Sequence, residues 1–215
     1  ALWRALDRLG DQQSNFLLEQ FLPGEVYHVD AIISEGNPVF ATTSKYGAPP
    51  LAITQGGGIF ATRILDRSSD EHRALEKANK EILAILGHQD GIAHTEFIRA
   101  HSDGRFYFLE TAARVGGANI DKMVEAASDL NLWREAARIE IAVIRNEPYR
   151  LPEHRLDYSG LVICLASQEH PDLSAYQDPE IVWRLEKPHH AGLLVTSAAA
   201  GRVEYLVNSY SERFA

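Results

Sequence analysis

An α+β fold is predicted, an antiparallel sheet with flanking helices followed by a small α+β unit at the C-terminal end. Three observations predict it. Apolar, β-branched and aromatic runs come in pairs around polar turns, at "DAIISEGNPVF" and at "EFIRAHSDGRFYFLE", which is the pattern of antiparallel hairpins. Between the pairs lies a stretch with a complete set of helix start and stop signals. Beyond a polar, proline-punctuated segment, "RNEPYRLPEHRLDYSG", come three more apolar runs and a last helical stripe.

Along the chain, Leu2, Trp3, Ala5, Leu6 and Leu9 are spaced as on one face of an opening helix, so that the chain reads as cut from something longer. "NFLLEQFLPGEVYHVDAIISEGNPVFATTSKY" then reads as strand, bend and hairpin, with its turn at Ser34, Glu35, Gly36 and Asn37. Pro49, Pro50 and Gly56 to Gly58 interrupt "APPLAITQGGGIFATRI", which reads as a loop with short extended pieces. In the next segment Ser68 and Glu71 have capping-box spacing, Leu75, Ala78, Ile82, Ile85 and Leu86 make an apolar stripe, and Gly87 ends it. After the second hairpin, residues 118–127 and 132–144 read as two helices, with Asn131 as N-cap of the second. "LVICLAS", "IVWRLEK" and "GLLVTSAA" read as strands, and Val203, Leu206, Val207, Tyr210 and Phe214 as the stripe of a final helix. The polar segment near residue 150 marks a boundary, giving units at 1–150 and 151–215.

The 215 residues are enough for a sizeable core, and the formal charge of −9 argues against nucleic acid or an anionic membrane surface as partner. A single cysteine, Cys164, sits in an apolar run, reads as core packing and points to a reducing compartment. No run is long and apolar enough to span a bilayer, and the opening residues lack a secretion signal, so a cytoplasmic protein is expected.

The second hairpin poses a chemical question, because each of its strands carries a glutamate at the end far from the turn, Glu96 and Glu110. A three-residue loop at Ser102, Asp103 and Gly104 would pair His101 with Arg105 and set Glu96 opposite Glu110. Their shared face would then read Glu96, Ile98 and Ala100 against Phe106, Phe108 and Glu110, apolar except for two carboxylates. A two-residue turn at Asp103 and Gly104 would put the glutamates on opposite faces. The three-residue loop is preferred because it segregates the arginines onto the other face. Two facing carboxylates on an apolar surface repel and need compensation, for which a hard, oxygen-seeking divalent cation serves. As ordinary rim residues in water they would need none. Nearby, Arg114 follows Glu110 by four residues, and Gly116 and Gly117 precede a helix start, where backbone N–H groups can receive an anion.

Taken in order, these residues resemble the ATP-grasp superfamily, whose members join carboxylates to amines or thiols through an acyl phosphate. The likeness covers about residues 15–140 and implies an ATP-grasp-like sheet. The family's adenine hinge and ribose contact, E-x-(F/Y)-x-x-G-x-E, fall on Glu19, Phe21, Leu22 and Glu25. Its G-x-x-H-x-E matches Gly91, His94 and Glu96, and its E-x-N-x-R matches Glu110 and Arg114 but has Ala112 in place of the asparagine. The continuation Arg114-Val115-Gly116-Gly117 favours the carboxylate–amine ligase branch. The resemblance implies ATP as cofactor with magnesium, or manganese, on Glu96 and Glu110. Arg114 would sit by the carboxylate or the developing oxyanion, Gly116 and Gly117 would contact substrate, His94 would contact substrate or serve as a structural hydrogen-bonder, and Lys45 would face the phosphates or substrate, or else solvent. The implied partners are a small-molecule carboxylate and amine and the N-terminal remainder of a longer ligase, with a homodimer as a further option. Two departures stand out: one metal ligand is missing at Ala112, and the two phosphate-contacting lysines and glycine-rich loop that precede the hinge in the family have no counterpart here. They support an alternative, a degenerate, non-catalytic fragment that binds nucleotide or a partner. A plain α+β interaction domain is a second.

Overall fold

The structure is a computed structural model that describes residues 19–214, so the expected opening helix lies outside the described residues. In chain order the strands are β1 (Gly24–Ser34), β2 (Asn37–Tyr46), β3 (Ile59–Ile64), β4 (Gly91–Ala100), β5 (Phe106–Ala112), β6 (Tyr158–Leu165), β7 (Ile181–Arg184) and β8 (His190–Ser197). The helices are α1 (Pro50–Gly56) between β2 and β3, α2 (Asp70–Ile85) between β3 and β4, α3 (Ile120–Ser128) and α4 (Leu132–Arg145) after β5, and α5 (Ala200–Phe214) at the end.

The strands form one antiparallel sheet in the order β5-β4-β1-β2-β3-β6-β8-β7. Strand β3 joins its two halves by pairing with β2 at Ser44↔Ile64 and with β6 at Ile59↔Cys164. The sheet thus runs across the boundary expected near residue 150. Both faces are covered, which explains the continuous burial of β1. On one face Tyr27, Val29, Ala31 and Ile33 meet Leu75 and Leu83 of α2, and Ala61 and Val162 meet Val203 and Val207 of α5. On the other, Ile32, Phe40 and Ile92 meet Ile120 and Met123 of α3 and Leu132 and Ile139 of α4.

Most elements lie where the sequence puts them. The first hairpin turns at Glu35 and Gly36, both left-handed with φ of 51° and 74°, as a two-residue turn of mirror-image type requires. The Asn131 side chain accepts the Arg134 N–H at 2.9 Å and starts α4. Three details differ. The expected loop after β2 contains helix α1, with Pro50 in its first turn, and strand β3, which forms because β2 and β6 both offer it an edge. Helix α2 is capped one residue later than expected, by Ser69, whose hydroxyl accepts the His72 N–H at 3.1 Å, while Ser68 is tied to Asp66. Cys164 is only partly buried.

The second hairpin also departs from expectation, in a way that shapes the site. Ala100 and Arg105 close a four-residue loop, and near it the register is Arg99↔Phe106, Ile98↔Tyr107 and Phe97↔Phe108. Leu109 then bulges, and beyond it Glu96 pairs with Glu110. The glutamates stand opposite each other as expected, though the bulge produces this and the turn does not. Phe106 and Phe108 consequently leave the glutamate face and pack edge-on against Tyr27 and Phe97, with ring centroids 5.1 and 6.3 Å apart. Ile98, Leu109 and the pyrrolidine and leucine side chains of the hinge make the apolar surface beside the glutamates instead.

Candidate ATP and metal site

Pairing across β4, β1 and β2 places His28 between Glu96 and Ser44, and Asp30 between His94 and Thr42, so all of these side chains issue from one face of the sheet. At the open end of that face is a cavity of about 600 Å³. Residues 19–24, Val26, Ile98 and Leu109 line one part of it, Glu96 and Glu110 another, and Pro50, Leu51, Ala52 and Gln55 of α1 lie across it. Phe21 is 79% exposed, an uncovered aromatic ring among the residues that line the cavity.

The two carboxylates differ in their surroundings. Oε1 of Glu96 accepts the Tyr46 hydroxyl at 2.7 Å and lies 3.4 Å from Nε2 of His94. Burial alone would raise the Glu96 carboxyl, but these two neighbours hold it below its ordinary range. Among the described residues neither Oε2 of Glu96 nor Glu110 has a hydrogen-bond or ion-pair partner. Ala112 stands opposite His94 on the same face, where a methyl group contributes no ligand.

Behind Glu96 lies a buried polar chain. Asp30, fully buried, accepts Nδ1 of His28 at 2.7 Å on one oxygen and Nδ1 of His94 at 2.8 Å on the other. Nε2 of His28 meets the Thr62 hydroxyl at 2.7 Å. Burial would raise the Asp30 carboxyl, and the two imidazoles overcome it and hold it well below the usual carboxylate range. Burial likewise opposes charge on His94, but the Asp30 and Glu96 carboxylates push it up to about 10, whereas the complete burial of His28 pushes that imidazole down. At neutral pH the cluster therefore holds Asp30 and Glu96 as anions around a His94 cation, with His28 neutral. Each charged group has a hydrogen-bond or ion-pair partner, as burial requires, and one net negative charge remains.

Gly116 packs directly on this chain. A Cβ there would lie 2.8 Å from Oδ1 of Asp30 and 2.9 Å from Nδ1 of His94, so only glycine fits, whereas Gly117 faces open space. Arg114, in the same link from β5 to α3, is bonded through its guanidinium to the Val115 carbonyl at 2.8 Å and does not line the cavity.

Glu25 and Lys45 are placed differently from expectation. Strand alternation puts them on the α2 face, where Nζ of Lys45 binds Glu25 at 2.6 Å beside Tyr27, Glu71 and Arg99. The β1 residue that faces the cavity is Val26. The sequence carries a signal for this, because a G-x-E spacing counted from Gly24 reaches position 26 and not 25. Asp30, His28 and Tyr46 went unnoticed in the sequence because nothing in their spacing shows that adjacent strands bring them to Glu96.

A family model described as an ATP-grasp domain matches residues 5–122, more than half of the chain. The chain belongs to the ATP-grasp family. A curated relative, the L-arginine-specific L-amino acid ligase of Bacillus subtilis, is 28% identical over 137 residues, which is 63% of this chain and 32% of that protein. Among solved structures, an L-amino acid ligase from Bacillus licheniformis superposes with a TM-score of 0.67 at 16% identity, covering 97% of this chain and 57% of its own. Phosphoribosylglycinamide synthetase from Anaerococcus prevotii gives 0.60 at 14% identity over 97% and 58%. The ADP complex of an N5-carboxyaminoimidazole synthetase from Staphylococcus aureus gives 0.56 at 17% over 90% and 52%. This ATP-grasp chain thus spans about a third of the length of the curated relative and a little over half of the solved ones. Among the described residues no helix is long and apolar enough to cross a membrane.

Proposed function

We propose that the chain forms the nucleotide and cation half of an ATP-dependent ligase that joins a carboxylate to an amine through an acyl phosphate. One observation carries this reading: Glu96 and Glu110 face each other across β4 and β5 at the end of an apolar cleft whose other wall is the segment 19–24. Glu19, Phe21 and Leu22 would take the adenine, offering backbone hydrogen bonds and an apolar surface to a flat ring. The family match, and neighbours such as the ADP-bound synthetase, support ATP as the nucleotide.

The donor set suits magnesium, and manganese equally. It consists of hard carboxylate oxygens, three of them without a hydrogen-bond or ion-pair partner among the described residues, opposite each other in register. When bound, magnesium neutralises phosphate charge during phosphoryl transfer. Glu96 and Glu110 hold it and the hinge orients the nucleoside. In the reaction a substrate carboxylate oxygen bonds to the γ-phosphorus as the bond to the β–γ bridging oxygen breaks and ADP leaves. The amine then bonds to the acyl carbon, phosphate departs with the electron pair of the broken C–O bond, and the amine gives up a proton. Arg114 would steady the oxyanion of that second step after turning from the Val115 carbonyl, and Gly116, Gly117 and His94 would border the substrate.

None of Lys45, Lys77, Lys80, Lys122 and Lys187 lines the cavity, so phosphate-contacting lysines would come from another segment of the parent chain or from a partner. The names of the relatives make an amino acid the first substrate class to try. A reducing cytoplasmic setting fits the single Cys164 and the use of ATP. Hydroxylamine trapping in the full-length parent tests the reaction: with ATP, magnesium and a panel of amino acids, an acyl phosphate gives a hydroxamate. A second reading, a nucleotide-binding module without catalysis, is favoured by Ala112 at the position of the third ligand. It predicts nucleotide binding with no hydroxamate.

A further inference from the structure

Between Asp30 and the cleft a hydrogen bond and an ion pair meet on the His94 ring. Asp30 accepts from Nδ1 of His94 at 2.8 Å, and the opposite ring nitrogen, Nε2, lies 3.4 Å from Oε1 of Glu96. That same Oε1 takes the Tyr46 hydroxyl at 2.7 Å, and the Tyr46 ring is itself packed against His28, with centroids 4.7 Å apart. Both donors converge on one oxygen of Glu96, leaving Oε2 as the oxygen available to the cleft. Asp30 is bound on its other oxygen by His28, and Gly116 packs on the Asp30–His94 contact so closely that a Cβ there would overlap both partners. The imidazole can neither flip nor swing away without breaking these contacts, so its orientation is set from behind, by a residue that no ligand in the cleft could touch.

We propose that Asp30 is a positioning residue for cation binding: through His94, and together with Tyr46, it fixes Glu96 as a one-oxygen ligand and aims Oε2 at the ion. The inference rests on the reading of Glu96 and Glu110 as the cation site and assigns a role to a residue outside that site. It also gives a reason for the charged, hydrogen-bonded cluster behind the cleft. A carboxylate held by two donors loses rotational freedom before the ion arrives, so less ordering is left for binding to provide. Partners of this outer kind alter metal affinity by about 10–100-fold when removed.

Manganese binding in the presence of ADP, followed by electron paramagnetic resonance, tests the assignment in wild-type, Asp30→Asn, Glu96→Gln and doubly substituted protein. Asp30→Asn is expected to weaken manganese about 10–100-fold, with no further weakening when Glu96 is already Gln, since the effect passes through Glu96. Thr62→Val cuts into the same buried cluster on the His28 side and is expected to leave the affinity unchanged. Additive losses in the double variant, or an equal loss in Thr62→Val, would mean that Asp30 only supports the core and would overturn the proposal. Should Asp30→Asn fail to fold, nuclear magnetic resonance of the wild type decides. The Nδ1–H proton of His94, strongly hydrogen-bonded to Asp30, is expected far downfield and shifted by magnesium with ADP. A signal indifferent to the cation contradicts the proposal. Wild-type protein that binds no manganese would instead remove the cation site itself, and this inference with it.

Discussion

Glu96 and Glu110 face each other across β4 and β5 because Leu109 bulges between Phe108 and Glu110. The bulge does two things at once. It turns Phe106 and Phe108 away to pack with Tyr27 and Phe97, and it sets Leu109 beside the two carboxylates as part of an apolar wall. The result is a cleft that is apolar where a ring would lie and anionic where phosphates would end.

The two glutamates should respond differently to neutralisation. Glu110→Gln removes charge from a side chain with no partner among the described residues, so melting temperature should hold or rise slightly, while magnesium-dependent ATP turnover by the full-length parent should fall by about two orders of magnitude or more. Glu96→Gln should lose as much activity in the parent and also about 1–3 kcal/mol of stability, because Oε1 accepts the Tyr46 hydroxyl and forms an ion pair with His94. Thermal melts beside a phosphate-release assay check both. Equal melting behaviour would contradict the difference in their surroundings.

The buried cluster predicts the pH dependence of the metal-free protein. His94 is raised to about 10, so its contribution is complete below its ordinary value of 6.5 and is lost as pH rises through about 10. Asp30 is depressed, so its contribution is present above its ordinary value and is lost as pH falls below it toward the folded value. Stability should therefore be greatest between the ordinary values of Asp30 and His94, 3.8 and 6.5, and fall progressively as pH rises from 6.5 to about 10. Asp30→Asn should lower it by about 3 kcal/mol at pH 7 and remove that alkaline decline. Denaturant melts from pH 3 to 11 supply the comparison.

Two adjacent glycines should behave unlike each other. Gly116→Ala forces a methyl onto the Asp30–His94 contact and should cost about 1–3 kcal/mol. Gly117→Ala meets nothing and should leave the melting temperature within about a degree of wild type, affecting only ligands that approach its backbone. Similar losses at both positions would show that the glycines serve the loop as a whole, in which Ala118 and Asn119 already hold left-handed φ of 51° and 62°.

Local patterning made most elements readable: the glycine turn at Gly36, the Asn131 cap and the Val203 to Phe214 stripe each declare themselves within a few residues. The site was half readable. The facing of Glu96 and Glu110 is legible from the hairpin alone, although a four-residue loop and a bulge at Leu109 produce it and a three-residue turn does not. A bulge at Leu109 has no signature of its own, since it depends on what each face packs against. The exchange of Glu25 for Val26 as the cleft-facing residue turns on a single step of strand alternation, the smallest error that reverses a face. Asp30, Tyr46 and His28 reach Glu96 through pairing between strands distant in sequence, and a motif read along one strand does not contain them.

Isothermal titration with ATP and magnesium should show weak binding and negligible turnover by this chain alone. Under this reading Glu19, Phe21 and Leu22 would offer the adenosine a wall, but with no lysine at the cavity among the described residues the triphosphate would lie open to water, where charge interactions are heavily weakened. Lys45→Met should not weaken binding further, because Lys45 is paired with Glu25 on the other face of the sheet. A marked loss in that variant would show that the lysine changes faces when nucleotide binds.

Anomalous diffraction at the manganese edge, from crystals grown with ADP and manganese, tests the central claim most directly. The account predicts a peak between Glu96 and Glu110, in contact with Oε2 of Glu96 and with the nucleotide phosphates, while the Tyr46 hydrogen bond and the His94 ion pair to Oε1 persist. A peak within the His28, Asp30 and His94 cluster, or nucleotide bound in the cleft with no ion on either glutamate, would contradict it.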